Sequence, residues 1–261
     1  MTLRLLHLSD IHFGCENAPA LAAARDYAAS APGTAIAVTG DVTQFGAPDE
    51  FRAASAWLKS LEGPVVCTPG NHDTPYLGGI ERLLQPFARY AAAIGPAEAD
   101  GWARPDLCVQ AINTARGAQI RLNWSKGAIR ARDAVRASAA VACCGSALRV
   151  VICHHPLMEV TGGPMTGRVR GGRQACEILA DGKVDLILTG HVHMPFAHPV
   201  PFGDRRTYAV GASTLSLRER GCPAGFNVIE ADEGAIRITA LGWTGRALEA
   251  QRSWGFERRK A

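Results

Sequence analysis

The sequence predicts an α/β fold, and two observations indicate this class. In the first two thirds of the chain, apolar runs of strand length alternate with longer segments of helical spacing, the pattern of βαβ units. After Gly190 the pattern changes to strand-like pieces separated by turn residues, which predicts a second, more antiparallel sheet. The 261 residues, 47% of them hydrophobic, are enough to bury one large core. We therefore expect a single domain over residues 1–261.

Each predicted element follows from a local pattern. Short apolar runs predict six strands, Leu3–Leu8, Ala35–Thr39, Pro64–Thr68, Leu107–Ile112, Arg149–Cys153 and Val184–Thr189. Helical spacing between them predicts helices such as Asp49–Leu61 and Ile80–Ala93. The strand-like pieces of the last part are Thr207–Ala212, Phe226–Ala231 and Ala235–Leu241. The glycine-rich stretch 161–172 predicts a long loop, and we expect this loop to face the substrate because loops of that size are more often functional than idle.

Composition argues against several classes of protein. The formal net charge of +4 is spread along the chain, which is too little to indicate nucleic-acid binding. The apolar run Leu3–Leu8 is too short for a signal peptide, and no stretch approaches the roughly twenty apolar residues of a membrane span. The eight cysteines form no C-x-x-C pair, and Cys67 and Cys153 lie inside apolar runs. This pattern predicts buried free thiols in a reducing cytoplasm.

Polar side chains follow five of the predicted strands at the point where each strand ends. The first strand is followed by two of them, the second by one, the third by three, and the fifth and sixth by two each. Because the carboxyl ends of parallel strands converge on one crevice, we expect these residues to face each other across a single site. In chain order they are Asp10, His12, Asp41, Asn71, His72, Asp73, His154, His155, His191 and His193.

This residue set has the chemistry of a metal centre. Oxygen and nitrogen donors without thiolate suit Mn, Fe or Zn. Residues i and i+2 of an extended segment point to the same side, so Asp10 with His12, and His191 with His193, can reach into the crevice together. Seven candidate ligands are too many for one ion but suffice for two if a carboxylate bridges them: Asp10, His12, Asp41, Asn71, His154, His191 and His193. Two ions about 3.5 to 4 Å apart are used for displacement at phosphate esters.

The motif series resembles that of the calcineurin-like metallophosphoesterases. D-x-H, G-D, G-N-H-D, H-H-P and G-H-x-H occur in this order between Asp10 and His193. The resemblance implies a four-layered α/β/β/α sandwich of two mixed sheets. The motif set is most similar to that of the class III cyclic nucleotide phosphodiesterases of bacteria, which implies hydrolysis of a 3′,5′-cyclic phosphodiester.

The resemblance also implies a role for each residue. The first metal ion would be held by Asp10, His12 and His193, and the second by Asn71, His154 and His191. Asp41 would bridge the two ions, and a metal-bridging hydroxide would attack the phosphodiester. His72 would stabilise charge or protonate the leaving oxygen. Asp73 would accept a hydrogen bond from the other ring nitrogen of His72 and fix its tautomer.

Some assignments stay open at this point. His155 fits either a residue that supports the ligands or one that contacts substrate. Arg168 and Arg170 fit either a solvated charged face or a contact to substrate phosphate. We expect His7 and His198 to be structural. The apolar residues of the segment 243–256 fit either a homodimer contact or closure of the second sheet.

The substrate is the least determined part of the prediction. The same ligand set serves enzymes that hydrolyse glycerophosphodiesters, nucleotide-lipid pyrophosphates and aryl phosphodiesters. DNA nucleases of the SbcD type share the metal core, but they carry an added DNA-binding region after it, and here the chain after His193 is short and mostly strand-like. A non-catalytic scaffold is disfavoured because the whole motif set is retained. We therefore predict a small-molecule phosphodiesterase, with a nuclease ranked lower.

Overall fold

The computed structural model describes residues 3–97, 101–120, 123–145, 147–159 and 168–259. Residues 161–167 of the predicted substrate-facing loop lie outside this part. The twelve strands in it are β1 (Leu3–Leu8), β2 (Ala35–Val38), β3 (Val65–Cys67), β4 (Gly101–Arg104), β5 (Leu107–Ala111), β6 (Leu148–Ile152), β7 (Leu186–Thr189), β8 (Phe196–Pro199), β9 (Tyr208–Gly211), β10 (Gly225–Ala231), β11 (Ala235–Trp243) and β12 (Leu248–Glu257). The helices are α1 (Ala18–Ala29), α2 (Pro48–Lys59), α3 (Gly79–Leu84), α4 (Ala88–Ala93), α5 (Ala131–Ala142) and α6 (Gly172–Asp181).

The strands form two mixed sheets of six strands each. The first has the order β12-β11-β10-β1-β2-β3, in which β1, β2 and β3 are parallel and β10 to β12 are antiparallel. The second has the order β4-β5-β6-β7-β9-β8, in which β5, β6, β7 and β9 are parallel and the edge strands β4 and β8 are antiparallel. The predicted pair of mixed sheets is confirmed.

The sheets stack face to face because their central strands are apolar on both sides. Along β1, Leu5 faces the second sheet, where Leu107 and Val150 belong to the same buried cluster. Leu6 and Leu8 face the other way, into a cluster with residues of α1, α2 and α4. Helices α5 and α6 cover the outer face of the second sheet. This alternation along each strand produces the four layers that the sequence resemblance implies.

The predicted helix over residues 80–93 is wrong in one respect, because the structure has two helices there. α3 ends at Leu84, and Gln85 has the dihedral angles φ −141° and ψ 58°. Pro86 follows, and a proline disfavours helical backbone at the preceding residue and provides no N–H of its own. Helix α4 begins after this break.

The predicted separate sheet after Gly190 is also wrong. Strand β9 joins the second sheet parallel to β7, and β10 joins the first sheet antiparallel to β1. The C-terminal strands are therefore shared between the two sheets, a pairing that local periodicity does not encode. The segment 243–256 forms the end of β11 and most of β12, and Trp254 and Phe256 pack against the core between the sheets. The homodimer stays a prediction.

The cysteine prediction needs one correction. Cys108 on β5 and Cys144 after α5 form a disulfide, although free thiols were expected throughout. The two residues are 36 positions apart and their Cα atoms lie 6.2 Å apart, a proximity created by the packing of α5 on its sheet. Cys67 and Cys153 are buried, as predicted. None of the helices in the described ranges is long and apolar enough to cross a membrane.

Candidate metal centre

The predicted site residues come together where strands of both sheets end. Asp10, Asp41 and Asn71 follow β1, β2 and β3 of the first sheet, whereas His154 and His191 follow β6 and β7 of the second. Contacts across the two sheets join them. Nε2 of His193 lies 3.0 Å from Oδ1 of Asp10, and Nε2 of His154 lies 3.3 Å from Oδ2 of Asp41. The crevice is therefore built between two sheets rather than along one.

Five of the candidate ligands have left-handed backbone. The angle φ is 51° at Asp10, 50° at His12, 52° at Asp41, 68° at His191 and 56° at His193, and only two further non-glycine residues of the described part have positive φ. Each such conformation costs about 1–3 kcal/mol and persists where the surroundings enforce it, typically at functional sites. The extended geometry that we expected at the D-x-H and H-x-H motifs is wrong, although both pairs do reach the same site.

The two carboxylates are buried and fixed by backbone donors. Oδ2 of Asp10 accepts hydrogen bonds from Oγ of Ser9 at 2.6 Å and from the backbone N–H of His191 at 2.9 Å. Oδ1 of Asp41 accepts from the backbone N–H of His72 at 2.8 Å. Burial acts to raise the pKa of both groups, but the neighbouring histidines outweigh it and hold each pKa below its usual range. Both are therefore carboxylates at neutral pH.

Three imidazoles share one orientation. Nδ1 of His12, His154 and His193 each faces a backbone carbonyl oxygen, that of Thr43 at 3.3 Å, Thr39 at 2.7 Å and Arg218 at 2.7 Å. A carbonyl only accepts, so Nδ1 carries a proton, and Nε2 is the ring nitrogen that faces the carboxylates. This is the arrangement by which proteins usually orient metal-binding histidines.

Burial and charge act differently on the individual histidines. Burial lowers the pKa of His12 and His191 to about 3, so both are neutral at physiological pH. Burial also acts to lower the pKa of His154, but Asp41 beside it raises that pKa to about 9. A cation bound between Asp41 and His154 would compete with this proton, because a metal ion binds the neutral imidazole.

The residues present fit a metal ion. Three buried polar atoms have no hydrogen-bond partner among the described residues: Oδ1 of Asp10, Oδ1 of Asn71 and Nε2 of His154. Nε2 of His12 and Nε2 of His193 lie 3.4 Å apart, and in neutral rings that carry their proton on Nδ1 these two lone pairs would face each other. Two facing lone pairs and unpaired carboxylate and amide oxygens are unfavourable alone and become favourable around a cation.

Potential ligand atoms cluster in more than one place. The ligand atoms of Asp10, His12 and His193 all lie within 4.8 Å of one another. The ligand atoms of Asp10, Asp41 and His154 form a second group of the same kind. A third such group contains His154, His155 and His191. Asp41 lies between the histidines of the two sheets, because its Oδ2 is 3.8 Å from Nε2 of His12 and 3.3 Å from Nε2 of His154.

The predicted hydrogen bond between Asp73 and His72 is wrong. The carboxylate of Asp73 accepts from the backbone N–H groups of Gly70, Val42 and Thr43 and from the hydroxyl of Thr43. Asp73 therefore ties the turn at residues 70–73 to the turn after β2. Nδ1 of His72 instead donates to the carbonyl oxygen of Gln44 at 2.7 Å. A backbone carbonyl leaves no mark in a sequence motif, which is why this partner was missed.

His155 lies beside two of the candidate ligands. This residue is buried, its Nδ1 lies 2.9 Å from Oγ1 of Thr114 and its Nε2 lies 2.7 Å from the carbonyl oxygen of Ser125. Both ring nitrogens are occupied, and the ring packs against those of His154 and His191. These contacts favour support of the neighbouring histidines, and a substrate contact for His155 stays a prediction.

The two arginines of the predicted substrate loop are exposed. Arg168 forms a 3.4 Å ion pair with Glu159. The backbone N–H of Arg170 donates to the carbonyl oxygen of Gly127, and its own carbonyl oxygen accepts from the N–H of Ile129. A substrate contact for Arg168 and Arg170 stays a prediction.

His7 and His198 lie outside this cluster, as expected. His7 is buried and its ring nitrogens lie 3.1 Å from Oγ1 of Thr39 and 3.2 Å from Nδ2 of Asn227. The ring of His198 stacks on Phe196. Both contacts are those of structural residues.

Sequence patterns missed one side chain at the centre. Nη1 of Arg218 lies 3.1 Å from Nε2 of His72, and the carbonyl oxygen of Arg218 is the partner of His193. The residue lies in an irregular segment after β9, where no motif marked it. Its only sequence signal is a pair of arginines two apart, Arg218 and Arg220.

Comparisons with known proteins agree with this geometry. A family model described as calcineurin-like phosphoesterase matches residues 3–195. A protein of Synechococcus sp. named "Probable cyclic nucleotide phosphodiesterase" is 24% identical over 265 residues, which cover 93% of each chain. The fold resembles that of a purple acid phosphatase from yellow lupin, with a TM-score of 0.68 and 13% identity over 99% of this chain and 54% of that one. It also resembles GAP50, described as the anchor in the inner membrane complex of Plasmodium, with a TM-score of 0.59 and 13% identity over 99% and 90% of the chains.

Proposed function

Since this chain belongs to the calcineurin-like phosphoesterases and is a phosphoesterase hydrolase, we propose that it cleaves phosphodiesters at a binuclear metal centre. The observation that carries the proposal is the position of Asp41 between histidines of both sheets, beside buried ligand atoms that lack hydrogen-bond partners. A carboxylate in that position can bridge two ions.

The candidate ligands divide into two sets. Asp10, His12 and His193 would hold one ion; Asn71, His154 and His191 would hold the other; Asp41 would be shared. Their oxygen and nitrogen donors suit Mn, Fe or Zn. When bound, two such ions polarise the phosphoryl oxygens and lower the pKa of a water molecule to about 7, so that a nucleophile exists at neutral pH.

The protein's own residues would supply orientation and a proton. His72 keeps one proton on Nδ1 through its hydrogen bond to Gln44, and its Nε2 faces the centre beside Arg218. A second proton, taken up at Nε2 before the chemical step, would pass to the leaving oxygen. A group placed in this way typically contributes about 10²- to 10⁴-fold to the rate.

For the substrate we propose a small phosphodiester, with 3′,5′-cyclic nucleotides first. The name of the Synechococcus relative supports this choice, since that protein matches over 93% of the chain. The modest net charge of +4 argues against DNA as the substrate, because duplex binding usually depends on a concentrated basic surface.

The test is steady-state hydrolysis of 3′,5′-cyclic AMP beside bis(p-nitrophenyl) phosphate in added Mn, with Asp41→Asn as the blank for contaminating activity. We expect turnover of both substrates by the wild type and of neither by the variant. Turnover of the aryl diester alone would contradict the cyclic nucleotide assignment while supporting phosphodiester chemistry. Two equivalents of metal per chain, measured by plasma mass spectrometry, are expected in the active protein, and a single equivalent would contradict the binuclear centre.

A further inference from the structure

The segment 213–220, which follows β9, is fixed against the candidate metal centre. Oγ1 of Thr214 donates to the carbonyl oxygen of Asp10 at 2.6 Å, and the N–H of Leu215 approaches the same oxygen at 3.2 Å. Further along, the carbonyl oxygen of Arg218 accepts from Nδ1 of His193 at 2.7 Å. The backbone of this segment is therefore bound to two candidate ligands, which gives its side chains a defined position.

Side chains 217–220 of this segment alternate between exposed and half-buried. Leu217 and Glu219 are exposed, whereas Arg218 and Arg220 are half-buried. Nη1 of Arg218 lies 3.1 Å from Nε2 of His72 and 3.3 Å from Oε1 of Gln44. Both partners are neutral acceptors when His72 carries its proton on Nδ1. The guanidinium therefore contacts the centre without a counter-charge in direct contact.

Arg220 has a side-chain nitrogen that lacks a hydrogen-bond partner within the described part of the chain. Its Nη1 is buried and has no hydrogen-bond partner among the described residues. Burial and the like charge of Arg218 lower its pKa, and Asp10 and Asp41 oppose this effect. A buried, unpaired donor on a charged group costs more than a neutral one, and a second guanidinium nearby adds to the cost. An anion between the two arginines would remove both penalties.

A phosphate ester is an anion that guanidinium groups bind well. The planar guanidinium presents parallel N–H donors that match the spacing of two phosphoryl oxygens, and such charge-assisted bonds are about twice as strong as neutral ones. We propose that Arg218 and Arg220 form a two-arginine anion subsite, which binds the non-bridging oxygens of the substrate's phosphate ester beside His72. The proposal rests on the phosphodiesterase function proposed above for the choice of ligand.

The subsite has a consequence for His72. Nε2 of His72 accepts a hydrogen bond from Arg218 as long as no stronger acceptor is present. A phosphate oxygen is a stronger acceptor than a neutral imidazole nitrogen, so substrate binding draws the guanidinium away. Nε2 is then free to face the leaving oxygen. Arg218 thus contacts substrate and also controls when His72 becomes available.

The experiment measures binding of inorganic phosphate to the Mn-loaded full-length protein by calorimetry. Arg218→Gln and Arg220→Gln are compared with Arg218→Lys and with Arg246→Gln, a matched control in the exposed turn between β11 and β12. We expect the Kd of phosphate to rise about 10- to 100-fold in the two glutamine variants, as for the loss of a charge-assisted pair. The Kd of phosphate for Arg218→Lys should lie between those of the glutamine variants and the wild type. Arg246→Gln should have the Kd of the wild type. Metal content should be equal in all five proteins.

Kinetics on bis(p-nitrophenyl) phosphate separate binding from positioning. The glutamine variants should show a raised KM, and Arg218→Gln should also show a lowered kcat. An unchanged phosphate Kd in both variants would overturn the proposal, even if kcat fell, since Arg218 would then act only by orienting His72. Wild-type protein that binds no phosphate would overturn it as well. Failure of the proposed function is distinct, because it shows as absent turnover in wild type whose phosphate affinity still depends on the two arginines.

Discussion

Replacing Gly70 by alanine tests whether the close approach of two turns builds the candidate metal centre. A Cβ atom on Gly70 would overlap both the carboxylate and the backbone nitrogen of Asp41. Neither group can swing aside, because the carboxylate is held by the backbone N–H of His72 and the nitrogen belongs to the main chain. The turn at residues 70–73 must therefore move away, and it carries Asn71 and His72 with it.

The size of the effect follows from this overlap. Overfilling a packed site costs about 1–3 kcal/mol of unfolding free energy. A displacement of about 1 Å at reacting groups reduces turnover by about 100-fold. We expect Gly70→Ala to lower the urea midpoint of unfolding, to bind less than the wild-type amount of metal, and to lose about two orders of magnitude in kcat/KM on bis(p-nitrophenyl) phosphate.

Gly79→Ala is the matched control. Gly79 begins α3, and an added Cβ there meets no atom within 4 Å. This change should leave metal content and turnover unaltered and stability equal or raised by up to about 1 kcal/mol, through the lower entropy of the unfolded chain. If the two variants had the same urea midpoint, metal content and kcat/KM, the close approach of Gly70 to Asp41 would have no role in building the site.

Three further predictions concern the metal ions, His72 and acid stability. Removal of metal by a chelator should lower the melting temperature by several degrees in a thermal scan, because metal at about 100 times its Kd stabilises the folded protein by about 2.7 kcal/mol. In Asp41→Asn, most of this difference in melting temperature between the metal-loaded and the chelated protein should be absent. His72→Gln should keep its metal ions by plasma mass spectrometry but lose about 10²- to 10⁴-fold in kcat; wild-type turnover in this variant would contradict the proton-transfer role. Burial lowers the pKa of His7 to about 3, below the value near 6.5 of an exposed histidine, so the unfolded chain takes up a proton first and stability falls as pH drops below 6.5. Between pH 7 and pH 5, His7 should account for about 2 kcal/mol of the loss in unfolding free energy. Urea titrations at the two pH values should show a loss that is smaller by this amount in His7→Gln.

Local sequence signals predicted nine of the twelve described strands and the order of the polar turns, but they missed β4, β8 and β12. The run Leu3–Leu8 is β1 without a change of bounds, because a strand buried on both faces is apolar throughout. Local signals were insufficient to predict which strands pair with each other. Nothing within Thr207–Ala212 indicates that this strand lies parallel to β7, since the register joins Leu186 to Tyr208 across the chain. A long-range partner is fixed by packing of the whole sheet rather than by local pattern.

The candidate site shows the same contrast between features that local sequence predicts and contacts that depend on the whole fold. Side chains that bear chemistry could be predicted from strand ends, but the atoms that orient them could not. His12, His72, His154 and His193 all donate Nδ1–H to backbone carbonyls, and every residue has such a carbonyl. The family resemblance implied Asp73 as the partner of His72, yet the carboxylate of Asp73 accepts from four donors in the surrounding turns. Choosing among acceptors therefore requires coordinates.

The strained backbone at the candidate ligands explains why each short motif carries little information alone. Left-handed conformations at Asp10, His12 and Asp41 are unfavourable in isolation, and hydrogen bonds between different turns hold them. The N–H of Asp10 donates to the carbonyl oxygen of Gly40 at 3.0 Å, and that of His12 to Asp41 at 2.9 Å. Each turn therefore fixes the conformation of the next, and ligand geometry is a property of adjacent turns together. A D-x-H motif without a G-D turn beside it would lose the bonds that hold its ligands in place, so the ordered series is informative where the single motif is not.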